Sequence, residues 1–362
     1  MSKERKLQSL RDSIDTLDDQ LLQLISERAR LAQQAAGAKR EGGKDAEYYR
    51  PEREVDILRR VQEHNPGPLS NGEIARLFRE IMSACLALEQ PMSVAFLGPE
   101  GTFTQAATHK HFGRSVSTVP MVDIGSIFRE VESGAVQYGV VPVENSTEGM
   151  IHHTLDMFLN SPLRICGEVE LRIHHYLLGC GGGIETVERV YAHPQALAQC
   201  RSWLDTHLAR AERIGLNSNA EGARKAETDS NAAAIAGSAA AKIYGLKVLA
   251  SNIEDRQGNT TRFLVIGDQD VAPSGKDKTS LLVSVKNQPG ALYRLLEPMG
   301  RNNISMTRIE SRPSRRAAWD YVFFVDFEGH VTDKAVADTL VELEAQAAFL
   351  KVLGSYPAAA PQ

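Results

Sequence analysis

Apolar residues recur at alternating spacings of three and four along the first forty positions: Leu7, Leu10, Ile14, Leu17, Leu21, Leu24, Leu31 and Ala38. This spacing predicts one amphipathic helix of more than four turns, with a heptad seam suited to pairing with another helix. Gly42 and Gly43 are expected to end or bend it. A second helix is expected from Pro51, a favoured first-turn residue, with Val55, Leu58 and Val61 on one face. A third carries Ile74, Leu77, Phe78, Ile81, Met82 and Cys85 and stops before Pro91. Beyond Val94 the texture changes. Short apolar runs at 94–97, 138–143, 190–192 and 263–266 alternate with helical stretches, the pattern of an α/β fold. The Ala-rich run 232–241 reads as a small-residue helix packed on a sheet. After a polar linker at 271–278, strand 280–285, helix 291–299, strands 304–311 and 319–327, helix 331–346 and strand 350–354 make a βαββαβ unit. The tail PAAAPQ reads as disordered.

At about 150 residues per domain, 362 residues suggest two or three domains. The 41 Lys and Arg against 46 Asp and Glu leave a net charge of −5, which gives no electrostatic basis for binding nucleic acid. The charged first eleven residues lack the apolar run of a signal peptide, and no stretch of about 18 apolar residues offers a membrane span. Cys85, Cys166, Cys180 and Cys200 form no CxxC pair, which fits a reducing cytoplasm. These bounds point to small-molecule ligands.

Arg28 falls on the apolar seam of the first helix. It is either a snorkelling arginine at a helix contact or a cation kept to bind an anion, because a buried charge is costly without a partner. Lys39, eleven residues on, lies about 20° around the helix and about 16 Å along it. Arg11 lies about 26 Å the other way, so it can serve the same small ligand only from a second subunit in an antiparallel pairing. Arg53 and Glu54 open the second helix, where solvated charges are common. Glu89 finishes the apolar stripe of the third, either exposed at the helix end or partly buried, where it donates a hydrogen bond only when protonated.

In the middle region, GPEGTFTQAA follows a strand and starts a helix at Thr102 or Thr104, whose N–H groups suit a carboxylate. VPVENSTEG sets Glu144, Asn145, Ser146 and Thr147 at a strand's carboxyl end, where α/β ligand sites gather. GNTTRFLVIG carries Thr261, Arg262 and Phe263 into another strand. His152–His153 and His174–His175 lack the ligand spacing of a metal site. The segment GCGGG at 179–183 lacks dinucleotide-binding spacing and reads as a loop. No metal or cofactor is expected. In the last region, NQPGALYRLL places Gly290 at a strand–helix junction, and ESRP spans Glu310 to Pro313.

The segments LRDSIDTLDDQLLQLISERARLAQQAAGAKR, YYRPERE and ARLFREIMSACLALEQ closely resemble the helical mutase domain of the bacterial bifunctional chorismate mutase/prephenate dehydratases. VPVENSTEG and TTRF, in this order, resemble the family's dehydratase, and the C-terminal unit is similar to an ACT domain. The resemblance covers nearly the whole chain. It implies an all-α chorismate mutase domain at 1–90, a two-lobed α/β prephenate dehydratase domain at 92–270 and an α+β ACT regulatory domain at 279–357. It further implies a cytoplasmic homodimer or higher homo-oligomer of phenylalanine biosynthesis, acting on chorismate and prephenate without a cofactor and inhibited by phenylalanine. The implied mutase residues are Arg11 from a second chain, Arg28, Lys39, Arg53, Glu54 and Glu89. Arg50 stands where some members have Asp, Cys85 where some have Ser, Glu89 where some have Gln, and Ala192 where some have Ser. Asn145, Gln199 and Thr261 are the implied dehydratase residues, with Ser146, Thr147, Arg262 and Phe263 binding substrate. Gly290, Ala291, Leu292, Glu310, Ser311, Arg312 and Pro313 are implied for the effector. A non-catalytic amino-acid sensor and a dehydratase preferring arogenate are the competing readings.

Overall fold

The computed structural model describes residues 3–41, 49–286, 288–313 and 321–359. Gly42, Gly43 and the expected strand start at Trp319 lie outside them. The chain forms two compact units, one of residues 1–92 with 112–117 and one of the remainder.

In the first unit, α1 (Lys3–Glu41) is a single long helix, followed by α2 (Pro51–Glu63) and α3 (Asn71–Glu89). Ser70 caps α3, its hydroxyl accepting from the Glu73 N–H at 3.2 Å. Leu58, Ala75 and Met82, with Ile57 and Phe78, pack α2 against α3. The seam of α1 has no such cover: Leu7, Leu10, Ile14, Leu17, Leu21, Leu24 and Leu31 are each between 49% and 63% exposed.

The second unit opens with β1 (Ser93–Leu97), α4 (Phe103–Phe112), β2 (Ser117–Met121), α5 (Ile124–Glu132), β3 (Tyr138–Asn145), β4 (Gly149–Met150), α6 (His152–Phe158) and β5 (Arg164–Arg172). A second lobe follows with β6 (Tyr176–Gly179), β7 (Arg189–Ala192), α7 (Pro194–Gln199), α8 (Arg201–His207), β8 (Glu212–Gly215), α9 (Asn219–Ala226), β9 (Ala232–Ala236), α10 (Ser238–Ile243) and β10 (Lys247–Ser251). The chain then returns to the first lobe as β11 (Thr260–Gly267), so that sheet runs β2-β1-β3-β11-β5 with β4 beside β3. The second sheet runs β10-β6-β9-β7-β8. Two crossings between the lobes, after β5 and before β11, leave a cleft between them.

The third sheet is antiparallel in the order β13-β14-β12-β15, from β12 (Asp277–Ser284), α11 (Ala291–Arg301), β13 (Met306–Pro313), β14 (Tyr321–Glu328), α12 (Lys334–Gln346) and β15 (Phe349–Pro357). One face packs Leu281, Val283, Val325 and Phe327 under α11 and α12, through Leu295, Met299, Val336 and Leu343. The other face gives Leu282, Val322, Phe324, Leu353 and Tyr356 to the core of the first lobe. β15 runs so close to β5 that a Cβ at Gly354 would collide with the backbone of Ile165.

Three expectations are corrected. Residues 232–236 form the buried central strand β9, and only 238–243 are helical. Helix-favouring alanines become a strand because both faces are covered, and their small side chains let Ala223 and Ala226 of α9 approach closely. The linker is shorter than expected, since Asp277 and Lys278 already pair in β12. Of the tail, Pro357 ends β15 and the Ala359 N–H donates to Glu168 Oε1 at 2.8 Å, while residues 360–362 lie outside the described residues.

Candidate active sites

In the helical unit, Lys39 Nζ meets Glu89 Oε2 at 3.4 Å, drawing the end of α1 to the end of α3. Glu54 Oε1 accepts from Arg79 Nε at 3.2 Å. Burial pushes the Glu54 carboxyl above the ordinary range, and Arg79 opposes that shift. Arg28 is half-buried on α1, whereas Arg11 and Arg53 are exposed. Arg50 is exposed and pairs with Glu52 at 2.7 Å, and Cys85 is buried within α3. Arg79, an unremarkable charge in sequence, gains its place only through the α2/α3 contact.

In the second unit, a cleft of about 660 Å³ runs between the lobes and is lined by Thr102, Phe103, Asn145 and Thr261 on one side and His175, Gln199 and Arg224 on the other. Asn145 and Thr261 are register partners on β3 and β11. Asn145 Oδ1 accepts from the backbone N–H groups of Thr147 at 3.0 Å and Glu148 at 3.2 Å, and from Thr147 Oγ1 at 2.6 Å. These backbone donors fix the amide, so its Nδ2 must donate to Thr261 Oγ1 at 2.8 Å and to Asn259 Oδ1 at 2.9 Å. Gln199 closes the web from α7. Its Nε2 donates to Thr147 Oγ1 at 3.3 Å, and its Oε1 accepts from Asn259 Nδ2 at 3.3 Å.

The same Gln199 oxygen lies 2.8 Å from His175 Nε2, which must therefore carry the proton. His175 is only 2% exposed, with Phe103 against its ring edge and its Nδ1 buried without a partner. Burial holds its imidazole below the ordinary pKa and so neutral. His175, set aside in sequence as half of a non-metal pair, is thus a support of the site, as is Asn259. Arg224 was also missed. It is the single Lys or Arg among the described residues lining the cleft, and nothing in its helix marks it in sequence.

Arg262 is a correction. Strand alternation turns it away from Thr261's side, and its buried guanidinium is bound by Glu168 and Asp326 at 2.7 Å each, so its charge is already matched away from the cleft. Ser146 accepts from Thr260 N–H at 3.0 Å and closes the ladder end. Thr147 acts on Asn145 and Gln199, and Phe263 borders an adjoining pocket beside Thr261.

In the third sheet, Gly290 adopts left-handed φ 75° and starts α11, which brings Ala291 and Leu292 to its first turn. Ser311 and Pro313 are exposed and Glu310 is half-buried on β13, while Arg312 donates to Asp156 of α6 at 2.7 Å.

Family models match three stretches: chorismate mutase type II at residues 10–90, prephenate dehydratase at 94–271 and the ACT domain at 279–345. A bifunctional chorismate mutase/prephenate dehydratase of Pseudomonas aeruginosa is 55% identical, covering 99% of this chain and 100% of its own. The Aquifex aeolicus protein of that name is 46% identical over 98% of each chain. The solved prephenate dehydratase of Arthrobacter aurescens in complex with L-Phe is 34% identical with a TM-score of 0.69, covering 74% of this chain and 90% of its own.

Proposed function

The chain belongs to the bifunctional chorismate mutase/prephenate dehydratases, and from that premise we propose how its residues divide the two reactions and their control. In the helical unit, chorismate rearranges to prephenate by a pericyclic step that needs no nucleophile, metal or cofactor. Arg28 and Arg53, with Arg11 of a second copy, hold its two carboxylates in the compact reactive conformer. Lys39, steadied by Glu89, meets the negative charge that grows on the breaking ether oxygen. The exposed leucine seam supports a homodimer paired through α1, because so long an apolar stripe is otherwise left in water.

Prephenate then loses its ring carboxylate as CO2 and its C4 hydroxyl as water, giving phenylpyruvate. The observation that carries this assignment is the direction of the Asn145–Thr261 bond. Thr261 Oγ1 accepts from the amide, so its own proton remains to be donated to the departing hydroxyl, and solvent returns a proton to Thr261 as the net reaction consumes one. The electron pair of the lost carboxylate completes the aromatic ring as the C–O bond breaks. Arg224 holds the pyruvyl carboxylate rather than the departing one, since a cation on the latter would favour the charge that decarboxylation removes. Phenylalanine binds at the Gly290 and Glu310–Ser311 segments, between ACT domains of adjacent chains, and slows dehydration. The four unbonded cysteines suit the cytoplasm.

Supplying chorismate to the pure chain tests the proposal. Chorismate absorbance should fall, phenylpyruvate should follow, and phenylalanine should suppress the second step. Accumulation of prephenate alone, with no phenylpyruvate, would overturn the dehydratase assignment.

A further inference from the structure

The reverse side of the dehydratase site is tied to the regulatory sheet by charge. Glu144 and Arg262 are register partners one position from Asn145 and Thr261, so they occupy the opposite face of β3 and β11. Arg262, 7% exposed, donates to Glu168, to Asp326 Oδ2 and to the Tyr356 hydroxyl, the last at 3.0 Å. Glu144 is ion-paired with Arg308 of β13, and Arg308 Nε lies 3.7 Å from the same Asp326 oxygen. Ser280 Oγ donates to Asp326 Oδ1 at 2.6 Å, and Lys278 Nζ stands 2.7 Å from Glu168 Oε1. Three acids therefore face three bases, and β12, β13, β14 and β15 each contribute at least one group. Glu144, Arg308, Asp326 and Arg262 form a chain of ion pairs behind the catalytic rung, and its two ends, Glu144 and Arg262, are register partners on β3 and β11.

Arg262 with Glu168 and Asp326 is a buried set in which loss of one partner leaves an uncompensated charge, and the partly exposed Glu144–Arg308 pair extends it to β13. β13 is also the strand that carries Glu310 and Ser311. Arg308 pins it to Glu144 on one side of them, and Arg312 pins it to Asp156 on the other. Any shift of β13 must pass into the strand that bears Asn145. We propose that Arg308 and Asp326 are positioning residues of the dehydratase site, holding Glu144 and Arg262 and thereby the register of Asn145 with Thr261. The same ion pairs transmit the effector's signal. The inference rests on the reading of this unit as a phenylalanine-inhibited dehydratase.

The test uses the full chain and four variants: Arg308→Gln, Glu144→Gln, the two combined, and Arg308→Lys. Dehydratase kcat and KM, inhibition by phenylalanine, and calorimetric phenylalanine binding are measured for each. Arg308→Gln should lower kcat more than it raises KM, and inhibition at saturating phenylalanine should weaken by about 5-fold or more while phenylalanine still binds. The double variant should be no worse than the worse single one, and Arg308→Lys should recover part of both properties. Effects that multiply in the double variant, or wild-type kcat and inhibition in Arg308→Gln, would overturn the inference. So would loss of phenylalanine binding in both Arg308→Lys and Glu144→Gln, because the ion pairs would then be part of the effector site. A wild-type chain that makes no phenylpyruvate, or ignores phenylalanine, would instead overturn the reading beneath it.

Discussion

Lys39 of α1 and Glu89 of α3, fifty positions apart in sequence, meet at 3.4 Å. The contact places a cation beside a carboxyl group in the helical unit, while Thr261 lies in the cleft of the other unit. The two reactions are thus assigned to residues of two separate units.

The two activities should therefore be lost independently. Lys39→Ala removes the donor to the ether oxygen and should lower mutase kcat by about 10²–10³, with prephenate dehydration unchanged. Thr261→Val keeps the shape but removes the hydroxyl, and should lower dehydration by about 10²–10⁴ while the mutase is unaffected. Thr261→Ser should retain most of the dehydratase rate. Separate assays on chorismate and on prephenate check this, and a single substitution that silences both reactions in folded protein would refute it.

Much of this division is legible in the sequence. The spacing of leucines gives α1, and the motifs around Asn145 and Thr261 mark strand ends. Packing decides what local pattern cannot. Residues 232–236 are four alanines and Ile235, a run whose alanines favour a helix in isolation, yet they form a strand because neighbours cover both faces. Arg262 follows Thr261 and looks like a carboxylate ligand. Only the arrival of Asp326, 64 positions later, shows its charge to be already matched. His175 and Arg224 carry no motif, and their place in the cleft comes from how the second lobe folds against the first.

Arg224 supplies the second prediction. Prephenate is a dianion, and the cleft offers one arginine and no lysine among its described lining residues. Glu221, one turn earlier on α9, also lines the cleft and accepts from Asn217 N–H at 3.3 Å, and no ion pair joins it to Arg224 among the described residues. Arg224→Gln should raise KM for prephenate by about 10–100-fold with kcat changed far less, the scale of a charged hydrogen bond. An equal fall in kcat with constant KM would place Arg224 at the departing carboxylate instead.

The last prediction concerns Glu54. Desolvation raises its pKa in the folded unit above the ordinary 4.5, despite Arg79 at 3.2 Å. The folded chain therefore keeps a proton on Glu54 at pH values where the unfolded chain has already lost it. Its contribution to stability is full below about pH 4.5 and is lost as pH rises through the folded value, because ionisation in the buried site is penalised. Glu54→Gln keeps an acceptor for Arg79 but cannot ionise. The melting temperature of the variant minus that of the wild type should then grow more positive from pH 5 towards pH 8. Calorimetric melts of both full-length chains across that window measure it directly. A difference that stays constant, or that falls as pH rises, would mean that Arg79 outweighs burial and that Glu54 sits in the folded unit as an ordinary ionised partner.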